Sequence, residues 1–335
     1  MSSASVLVTG ATGCLGRHLV DNLVQDGLTV RALTQQSSRT THLDERGVDV
    51  QRGSLIDQGD IERAVDGVQT VFHLGGLVID NRPDDTSPDL WQEIERFNVH
   101  GTERLARAAA AAGAKRFVFC SSVRLAGFGN QLLWDEDDPR TPSDLYSRGK
   151  ALAEQSLAQV GRDTGLEVVS IRPRFIYGNY DRYVMPQLVR QVMRGWVPLP
   201  GGGRSIWGVV YVQDCVQALR LAAERAVAGK VFNITSGECL SLRDILTETA
   251  RAMDRPLRIL NVPMPAVSAL ATAVEVGSRA MGRRPPLSRA LLAWRLNDHH
   301  FSIARAQREL GYTPRYPLRE ALREIDLKQF LAHGG

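Results

Sequence analysis

The stretch Thr9-Gly10-Ala11-Thr12-Gly13-Cys14-Leu15-Gly16 lies between a short apolar run at residues 6–8 and an amphipathic segment, Cys14–Gln25. Glycines spaced as Gly-x-x-Gly-x-x-Gly between a strand and a helix predict a turn that binds a dinucleotide diphosphate at the helix N-terminus. The first glycine permits the tight turn, the second lets the backbone approach the diphosphate, and the third allows close packing of the helix.

Short β-branched runs alternate with long amphipathic segments over the first half of the chain, which predicts an α/β fold with a doubly wound parallel sheet. The predicted strands are residues 6–8, 29–33, 48–51, 70–74, 117–120 and 168–171. The predicted helices are Cys14–Gln25, 61–65, the Ala-rich 91–112, and Leu145–Thr164.

Regularity weakens after Arg172-Pro173, where prolines and Gly201-Gly202-Gly203 mark loops. Residues 209–212 and 231–234 are expected to return to the sheet as strands, and a smaller, mainly helical lobe is expected from about residue 236. We therefore expect a Rossmann-type NAD(P)-binding domain, residues 1–175 with 207–235. Residues 176–206 and 236–335 are expected to form a substrate-binding lobe.

The composition is that of an ordinary globular protein, with 335 residues, 43% hydrophobic residues and a net charge of +4. Its arginines are interspersed with acids, which argues against a nucleic-acid partner. The four cysteines fit neither a disulfide framework nor a metal site, so we expect no metal and a cytoplasmic location. No secretion signal and no membrane span are expected.

A catalytic pattern follows the predicted fifth strand. Tyr146 and Lys150 stand four residues apart, on one face of a helix, in a chain with four lysines in total. An adjacent ammonium would lower the pKa of the phenol and make Tyr146 an acid or base. Ser121 and Ser122 end the strand, where open α/β sheets bind ligands, and one hydroxyl should face the substrate.

Residues 34–36, at the end of the second strand, are Thr-Gln-Gln instead of including the acid that binds adenosine ribose in many NAD enzymes. With no carboxylate to repel a 2′-phosphate, and with Arg39 or alternatively Arg31 nearby, NADP is favoured over NAD. The alternative to a role in cofactor binding is that Arg39 is an ordinary charged residue of the surface. Asn98, on the Ala-rich helix, is predicted to lie at a helix kink beside the site.

These motifs resemble the extended short-chain dehydrogenase/reductase family in order along most of the chain. The resemblance rests on residues 9–16, 98–102, 119–122, 146–150, Arg172-Pro173, 176–178 and 211–214. It implies that Tyr146 is the catalytic acid/base, that Lys150 is its partner, and that Ser122 polarises the substrate. Asn98 would be a cofactor-side or structural residue.

The resemblance also implies the remaining binding residues. The cofactor would contact Gly10, Thr12, Gly13, Cys14, Leu15, Gly16, Gln35, Arg39, Ser54, Leu55, Leu74, Gly75, Gly76, Asn98, Tyr146, Lys150, Pro173, Phe175 and Ile176. The substrate would contact Ser122, Val123, Tyr146, Arg174 and Trp207.

Departures from the family pattern favour one branch. Phe175 stands where nucleotide-sugar enzymes typically carry a diphosphate-binding Asn, and Trp207 where they carry an Arg. Ser54 replaces a common Asp beside adenine, which weakens the prediction of adenine contacts. Residues 285–287, 301–304 and 309–314 instead resemble the 3β-hydroxysteroid dehydrogenase and sterol-4α-carboxylate 3-dehydrogenase branch.

We therefore expect reversible alcohol/ketone oxidoreduction of a mostly apolar, sterol-like, polyketide-like or β-keto substrate. The alternatives are a nucleotide-sugar epimerase or dehydratase, and a non-catalytic NAD(P) sensor. The apolar segment 264–276 would be an ordinary packed helix or a lipid-facing lid. A homodimer through the Ala-rich and catalytic helices is expected from the resemblance alone.

Overall fold

The computed structural model of the chain describes residues 6–78, 87–127, 133–283, 285, 287–296 and 300–331. The start of the chain, on which the expectation about secretion rests, lies outside the described residues, as does Pro286. Within the described parts, none of the helices combines the length and the apolar character that crossing a bilayer requires.

Eleven strands are present in the described residues: β1 Val6–Thr9, β2 Val30–Thr34, β3 Asp49–Arg52, β4 Thr70–His73, β5 Arg116–Cys120, β6 Glu167–Pro173, β7 Ile176–Tyr177, β8 Trp196–Pro200, β9 Val210–Tyr211, β10 Val231–Ile234 and β11 Arg258–Val262. Seven of them form one sheet in the order β10-β6-β5-β4-β1-β2-β3. Every neighbouring pair in that sheet is parallel. The predicted doubly wound α/β fold is confirmed.

The described helices are α1 Cys14–Gln25, α2 Thr41–Glu45, α3 Gln58–Val65, α4 Pro88–Ile94, α5 Gly101–Ala111, α6 Leu145–Thr164, α7 Met185–Met193, α8 Val212–Glu224, α9 Leu242–Ala252, α10 Met264–Ala280, α11 Arg289–Leu296 and α12 Leu318–Ala321. The turns Glu95–His100 and Ala306–Leu310 are π-helical, and Val123–Ala126 and Leu327–Phe330 are 3₁₀ turns.

Alternate side chains of the central strands divide the core between the two faces of the sheet. Val6 and Val8 of β1 pack with residues of α1 and α8, whereas Leu7 packs with residues of α3, α5 and α6. The chain runs outward through β2 and β3 and then returns to place β4 beside β1. This reversal opens a crevice at the carboxyl ends of β1 and β4, where ligands bind in such sheets.

The second half of the chain differs from the sequence prediction in β7, β8 and β11, which were not predicted, and in the pairing of β9. β10 joins the sheet beside β6 as expected, but β9 pairs with β7 in a separate two-stranded sheet. The prediction that residues 209–212 return to the main sheet was wrong, because Val210 and Tyr211 pair with Ile176 and Tyr177 instead and Val212 already begins α8. The C-terminal lobe is mainly helical, and β11 pairs with β8 within it.

Candidate active site

The first glycine turn brings β1, α1 and the loop after β4 into close contact. Gly10 has a φ of +72°, and a Cβ on it would lie 2.8 Å from the Gly75 nitrogen. A Cβ on Gly16 would lie 2.1 Å from the Gly10 carbonyl oxygen. Both positions therefore require glycine for the packing of the protein itself.

Gly13 needs a different explanation. Its φ is −78°, which any residue adopts, and a Cβ there would meet one atom, the Gly10 oxygen, at 3.3 Å. Gly13 is exposed at the N-cap of α1, which has no side-chain cap and no acidic residue in its first turn. The space above Gly13 and the positive end of α1 thus suit an anionic group brought close to the backbone.

The residues beside this turn are Thr12, Cys14 and Leu15. Thr12 and Cys14 are half-buried and Leu15 is buried. The Cys14 thiol donates to the Asn179 carbonyl at 3.3 Å. Burial, and secondarily Asp181, raises the pKa of Cys14 to about 12, so the thiol stays neutral and presents no negative charge to an anion.

The predicted adenosine-ribose contacts lie at the open end of β2. Gln35 and Arg39 are both exposed there. Arg31 forms an ion pair with Asp49 instead, with 2.7 Å between Arg31 Nε and Asp49 Oδ2. Arg52, which the sequence reading missed, donates to the Gln36 carbonyl at 2.8 Å and holds the loop that carries Arg39.

Ser54 and Leu55 follow β3 and are half-buried. The backbone nitrogen of Ser54 donates to Asp60 Oδ2 at 2.9 Å, so Asp60 closes this loop onto the start of α3. Leu55 packs against Gly101 at the start of α5. A Cβ added to Gly101 would lie 3.2 Å from the Cβ of Leu55. These contacts fix the loop between the crevice and the Ala-rich helix.

A buried hydrogen-bonded chain links the glycine turn to the Ala-rich helix. Thr9 Oγ1 lies 2.6 Å from His73 Nδ1, and His73 Nε2 lies 2.8 Å from Thr102 Oγ1. Burial, and secondarily the charge of Lys150, lowers the pKa of His73 to about 3. Because Thr9 accepts from the Gly75 nitrogen and Thr102 donates to the Asn98 carbonyl, the neutral ring carries its proton on Nε2.

Asn98 lies in the π-helical turn Glu95–His100, which interrupts the α-helix at the place where a kink was predicted. Its Oδ1 accepts from the Leu77 nitrogen at 2.7 Å, and its Nδ2 donates to the Leu77 carbonyl at 3.0 Å. A Cβ on Gly76 would lie 3.1 Å from Asn98 Oδ1. The amide therefore fixes the loop after β4, Leu74-Gly75-Gly76, over the crevice.

Tyr146 and Lys150 lie one turn apart near the start of α6, as predicted. Lys150 Nζ donates to the Cys120 carbonyl at 2.8 Å and lies 5.9 Å from the Tyr146 ring centre. Burial lowers the pKa of Lys150. Burial also raises the pKa of Tyr146, and Cys120 adds to that rise. The expectation of a lowered pKa for this phenol was wrong, because desolvation is the largest effect and outweighs the one lowering charge named for it, that of Arg124.

The two adjacent serines face different surroundings. The Ser122 hydroxyl caps the 3₁₀ turn by accepting from the Arg124 nitrogen at 3.2 Å. Ser121 Oγ is buried and has no hydrogen-bond partner within the described residues. Ser122 lies at the carboxyl end of the fifth strand and shares Arg124 as a neighbour with Tyr146, whose ring centre is 5.7 Å from the guanidinium.

Arg124 and Asp144 complete this cluster, and neither residue was predicted from the sequence. Arg124 Nη2 pairs with Asp144 Oδ2 at 2.6 Å, and both side chains are buried. Asp144 Oδ1 also accepts from the Ser147 nitrogen and caps α6. The ion pair thus ties the Ser122 turn to the helix that carries Tyr146. The Asp144-x-x-Ser147 spacing was the available signal, since it is a helix-capping pattern.

Arg174, Phe175 and Trp207 form a stack beyond the end of β6. The Arg174 guanidinium lies 3.7 Å from the Phe175 ring centre, and Phe175 and Trp207 stack at 4.7 Å. Phe175 has a φ of +35°, a conformation that bulky residues rarely adopt. Stacked rings therefore occupy the two positions at which the family resemblance led us to expect polar diphosphate anchors in a nucleotide-sugar enzyme.

The other predicted contacts divide between the core and the crevice edge. Val123 is buried against Ala126, Trp134 and Phe301, so its side chain belongs to the packing of the Ser122 turn. Pro173 is buried at the end of β6, and Ile176 is half-buried in β7. In the sequence, Pro173 and Ile176 lie on either side of Arg174 and Phe175.

The family model described as the NAD dependent epimerase/dehydratase family matches residues 6–235. The 4-hydroxy-2-methyl-3-oxo-4-farnesyl-3,4-dihydroquinoline-1-oxide ketoreductase of Stigmatella aurantiaca is 31% identical, over 94% of this chain and 93% of its own. The 3β-hydroxysteroid dehydrogenase/Δ5→4-isomerase of Mycobacterium tuberculosis is 31% identical, over 95% of this chain and 88% of its own. The solved structure of MoeE5 with UDP-glucose and NAD is 28% identical with a TM-score of 0.75, covering 98% of this chain and 99% of MoeE5.

Proposed function

Because this chain belongs to the NAD dependent epimerase/dehydratase family, we propose that it is an NAD(P)-dependent oxidoreductase that interconverts a secondary alcohol and a ketone. The resemblance to extended short-chain dehydrogenases, read from the motifs, is confirmed by that family match and by the ketoreductase and hydroxysteroid dehydrogenase relatives. The observation that carries the proposal is the cluster of half-buried Tyr146 with buried Lys150 and Ser122 at the carboxyl end of β5.

The residues around the glycine turn fit a nicotinamide dinucleotide. The exposed Gly13 and the uncapped start of α1 would hold the diphosphate, and Gly75 with Gly76 would border it. When bound, the nicotinamide ring supplies or accepts the hydride that such oxidoreduction requires. Arg39, exposed beside Gln35 and without an acid at residues 34–36, would contact a 2′-phosphate, so NADP is the preferred cofactor in this proposal.

The protein's own part in ketone reduction is a proton transfer. Since burial raises the pKa of Tyr146, the phenol is protonated at neutral pH and can donate its proton to the carbonyl oxygen. The Ser122 hydroxyl would hydrogen-bond that oxygen, and Lys150 would stabilise the phenolate that forms. In alcohol oxidation Tyr146 must first lose its proton, so oxidation should accelerate as the pH rises and reduction should not.

A mostly apolar substrate is supported by the aromatic replacements. Phe175 and Trp207 present stacked rings where the resemblance predicts the polar diphosphate ligands of a nucleotide-sugar enzyme. We propose that residues 176–206 and 236–335 bind the substrate, while residues 1–175 with 207–235 bind the cofactor.

The test is oxidation of NADPH and of NADH by the purified protein with ketosteroids, β-keto esters and UDP-glucose. We expect turnover of ketones with NADPH. Tyr146→Phe should lower kcat/KM by about 10³-fold, through loss of the proton donor, while cofactor fluorescence titrations stay at the wild-type Kd. Tyr316→Phe, which removes a hydroxyl outside the cluster, is the matched control. Wild-type activity in Tyr146→Phe would refute the mechanism, and UDP-glucose turnover without ketone reduction would favour the epimerase alternative.

A further inference from the structure

The helix α10 has apolar residues all around its circumference. On its inner side, Val267 and Ala271 are buried and pack with Leu292 of α11. The rest of the circumference faces solvent and is also mostly apolar. The exposed apolar residues of this outer face are Met264, Pro265, Ala266, Ala269, Leu270, Ala273, Val276 and Ala280. A surface helix that packs on one side alone exposes polar residues instead, so the outer face is typical of a helix that contacts a second apolar surface.

The outer face of α10 has large exposed side chains and almost no charge. Leu270 is 57% exposed and Val276 is 63% exposed. The one charged residue between positions 264 and 278 is Glu275. Its carboxylate accepts from the Arg279 side chain at 2.6 Å and from the Arg289 nitrogen at 3.1 Å, and 16% of the side chain is exposed. The acid therefore serves the protein itself and adds little negative charge to the outer face.

Arginines border this apolar face along the chain. Residues 255–289 contain six arginines and one acid, which is a net charge of +5. Because the whole chain has a net charge of +4, the remaining residues together carry −1. Five of the six arginines lie in described positions and are exposed: Arg255, Arg258, Arg279, Arg283 and Arg289. The positive charge of the protein is thus concentrated around its most apolar exposed helix.

We propose that the outer face of α10 and its bordering arginines form a peripheral binding surface for an anionic lipid bilayer. The apolar side chains would enter the boundary between headgroups and acyl chains, and the arginines would contact the anionic headgroups. The helix would lie along the bilayer, since none of the described helices is suited to crossing it.

The charge of this surface favours a bilayer over a second copy of the chain. A two-fold dimer places the same patch of both copies face to face, so two segments of net charge +5 would meet and repel each other. An anionic bilayer supplies both the opposite charge and an apolar interior. A nucleic acid would supply phosphates but no apolar layer for Leu270 and Val276.

The first experiment is co-sedimentation of the purified protein with vesicles of phosphatidylcholine, either alone or with one third phosphatidylglycerol. We expect the wild type to bind the anionic vesicles at least about 10-fold more tightly than the neutral ones, and to lose most of this preference at high salt. Leu270→Glu combined with Val276→Glu should weaken binding to the anionic vesicles by about 100-fold. Leu331→Glu, a change at a residue that is 46% exposed but outside this surface, is the matched control.

The arginines are tested separately. Arg283→Ala combined with Arg289→Ala should weaken binding to the anionic vesicles by about 25-fold, since each arginine near an anionic surface is worth about fivefold. Binding to neutral vesicles should change by less than about 3-fold. Arg162→Ala combined with Arg323→Ala, two exposed arginines outside the surface, should leave both unchanged. Circular dichroism and NADPH titration verify that each variant is folded.

The same measurements can overturn the inference. It fails if the wild type does not bind anionic vesicles, or if Leu270→Glu with Val276→Glu binds them as the wild type does. Analytical ultracentrifugation without lipid should give one mass for the wild type and for this variant, and a wild-type dimer that dissociates in the variant would assign the face to a second copy instead. Tighter binding to a DNA duplex than to the vesicles at equal salt would also overturn it. Because no turnover is measured, the outcome is independent of the proposed oxidoreduction.

Discussion

Gly13 and Gly16 belong to one motif, but their substitution by alanine should have different effects. Gly13→Ala should mainly weaken cofactor binding, whereas Gly16→Ala should mainly lower the stability of the fold. On Gly16 the new methyl would lie 2.1 Å from the Gly10 oxygen and 2.7 Å from the Ala11 Cα. These are backbone atoms that cannot rotate away, so α1 must move off the turn. We expect a loss of about 3 kcal/mol in the free energy of unfolding, the upper end for overpacking.

The Gly13 methyl meets the Gly10 oxygen at 3.3 Å and the backbone has a φ of −78°, so the protein itself accommodates it. Alanine is a poorer N-cap than glycine but reduces the entropy of the unfolded chain, and the net change should stay within about 1 kcal/mol. The methyl occupies the space through which a diphosphate reaches the helix. Losing one charge-assisted bond of about 1.5–3 kcal/mol raises the Kd by about 10- to 150-fold.

Urea unfolding gives the stability of each variant, and titration of NADPH fluorescence gives the Kd. The expected pattern is weak binding with near-normal stability for Gly13→Ala, and lowered stability for Gly16→Ala. Gly13→Ala with a wild-type Kd would show that the diphosphate does not approach this backbone. Gly16→Ala with the wild-type urea midpoint would show that the close contact does not constrain the fold.

Three further predictions concern separate parts of the molecule. Arg39→Ala should raise the Kd for NADPH by about 10-fold and leave that for NADH unchanged, and equal effects on both cofactors would remove Arg39 from the site. The pKa of His73 falls to about 3 on folding, so between that value and the ordinary histidine pKa the unfolded state binds more protons than the folded state. The free energy of unfolding that His73 contributes is therefore fully present above the ordinary pKa and declines as the pH falls below it. Urea unfolding should show the wild type losing roughly 3 kcal/mol between about pH 6.5 and 4.5, and His73→Gln losing clearly less; parallel curves would contradict this. UDP should not raise the unfolding temperature of the NADP⁺-loaded enzyme, because Phe175 and Trp207 replace the diphosphate ligands, whereas stabilisation by UDP would restore the nucleotide-sugar reading.

The parts of the site that the sequence could predict are those whose geometry is local. The glycine turn depends on eight consecutive residues between a strand and a helix, and both flanking elements follow from hydrophobic periodicity. Tyr146 and Lys150 fall on one helix face because four residues make about one turn. In each case the spacing along the chain fixes the spacing in space.

The parts that escaped prediction depend on contacts between distant segments. Asn98 holds the backbone of Leu77, and Arg124 pairs with Asp144, which no periodicity reveals. The pKa of Tyr146 had the wrong expected direction because the i, i+4 spacing shows the ammonium but not the burial of the ring. Burial depends on how all the neighbouring elements pack, and it dominates the electrostatics here.

The backbone of Phe175 shows how the aromatic replacement is tolerated and why it concerns Arg174. A bulky residue at a φ of +35° costs about 1–3 kcal/mol, whereas Asn adopts such angles more readily. Stacking on Trp207 is worth about 0.5–1.5 kcal/mol and the contact with the Arg174 guanidinium a similar amount, so the two together offset most of the strain. The Phe175 ring is therefore fixed between Trp207 and the Arg174 guanidinium, and it fixes the positions of both. Removing Trp207 should then release the strained backbone of Phe175 and, with it, the Arg174 guanidinium that stacks on the Phe175 ring.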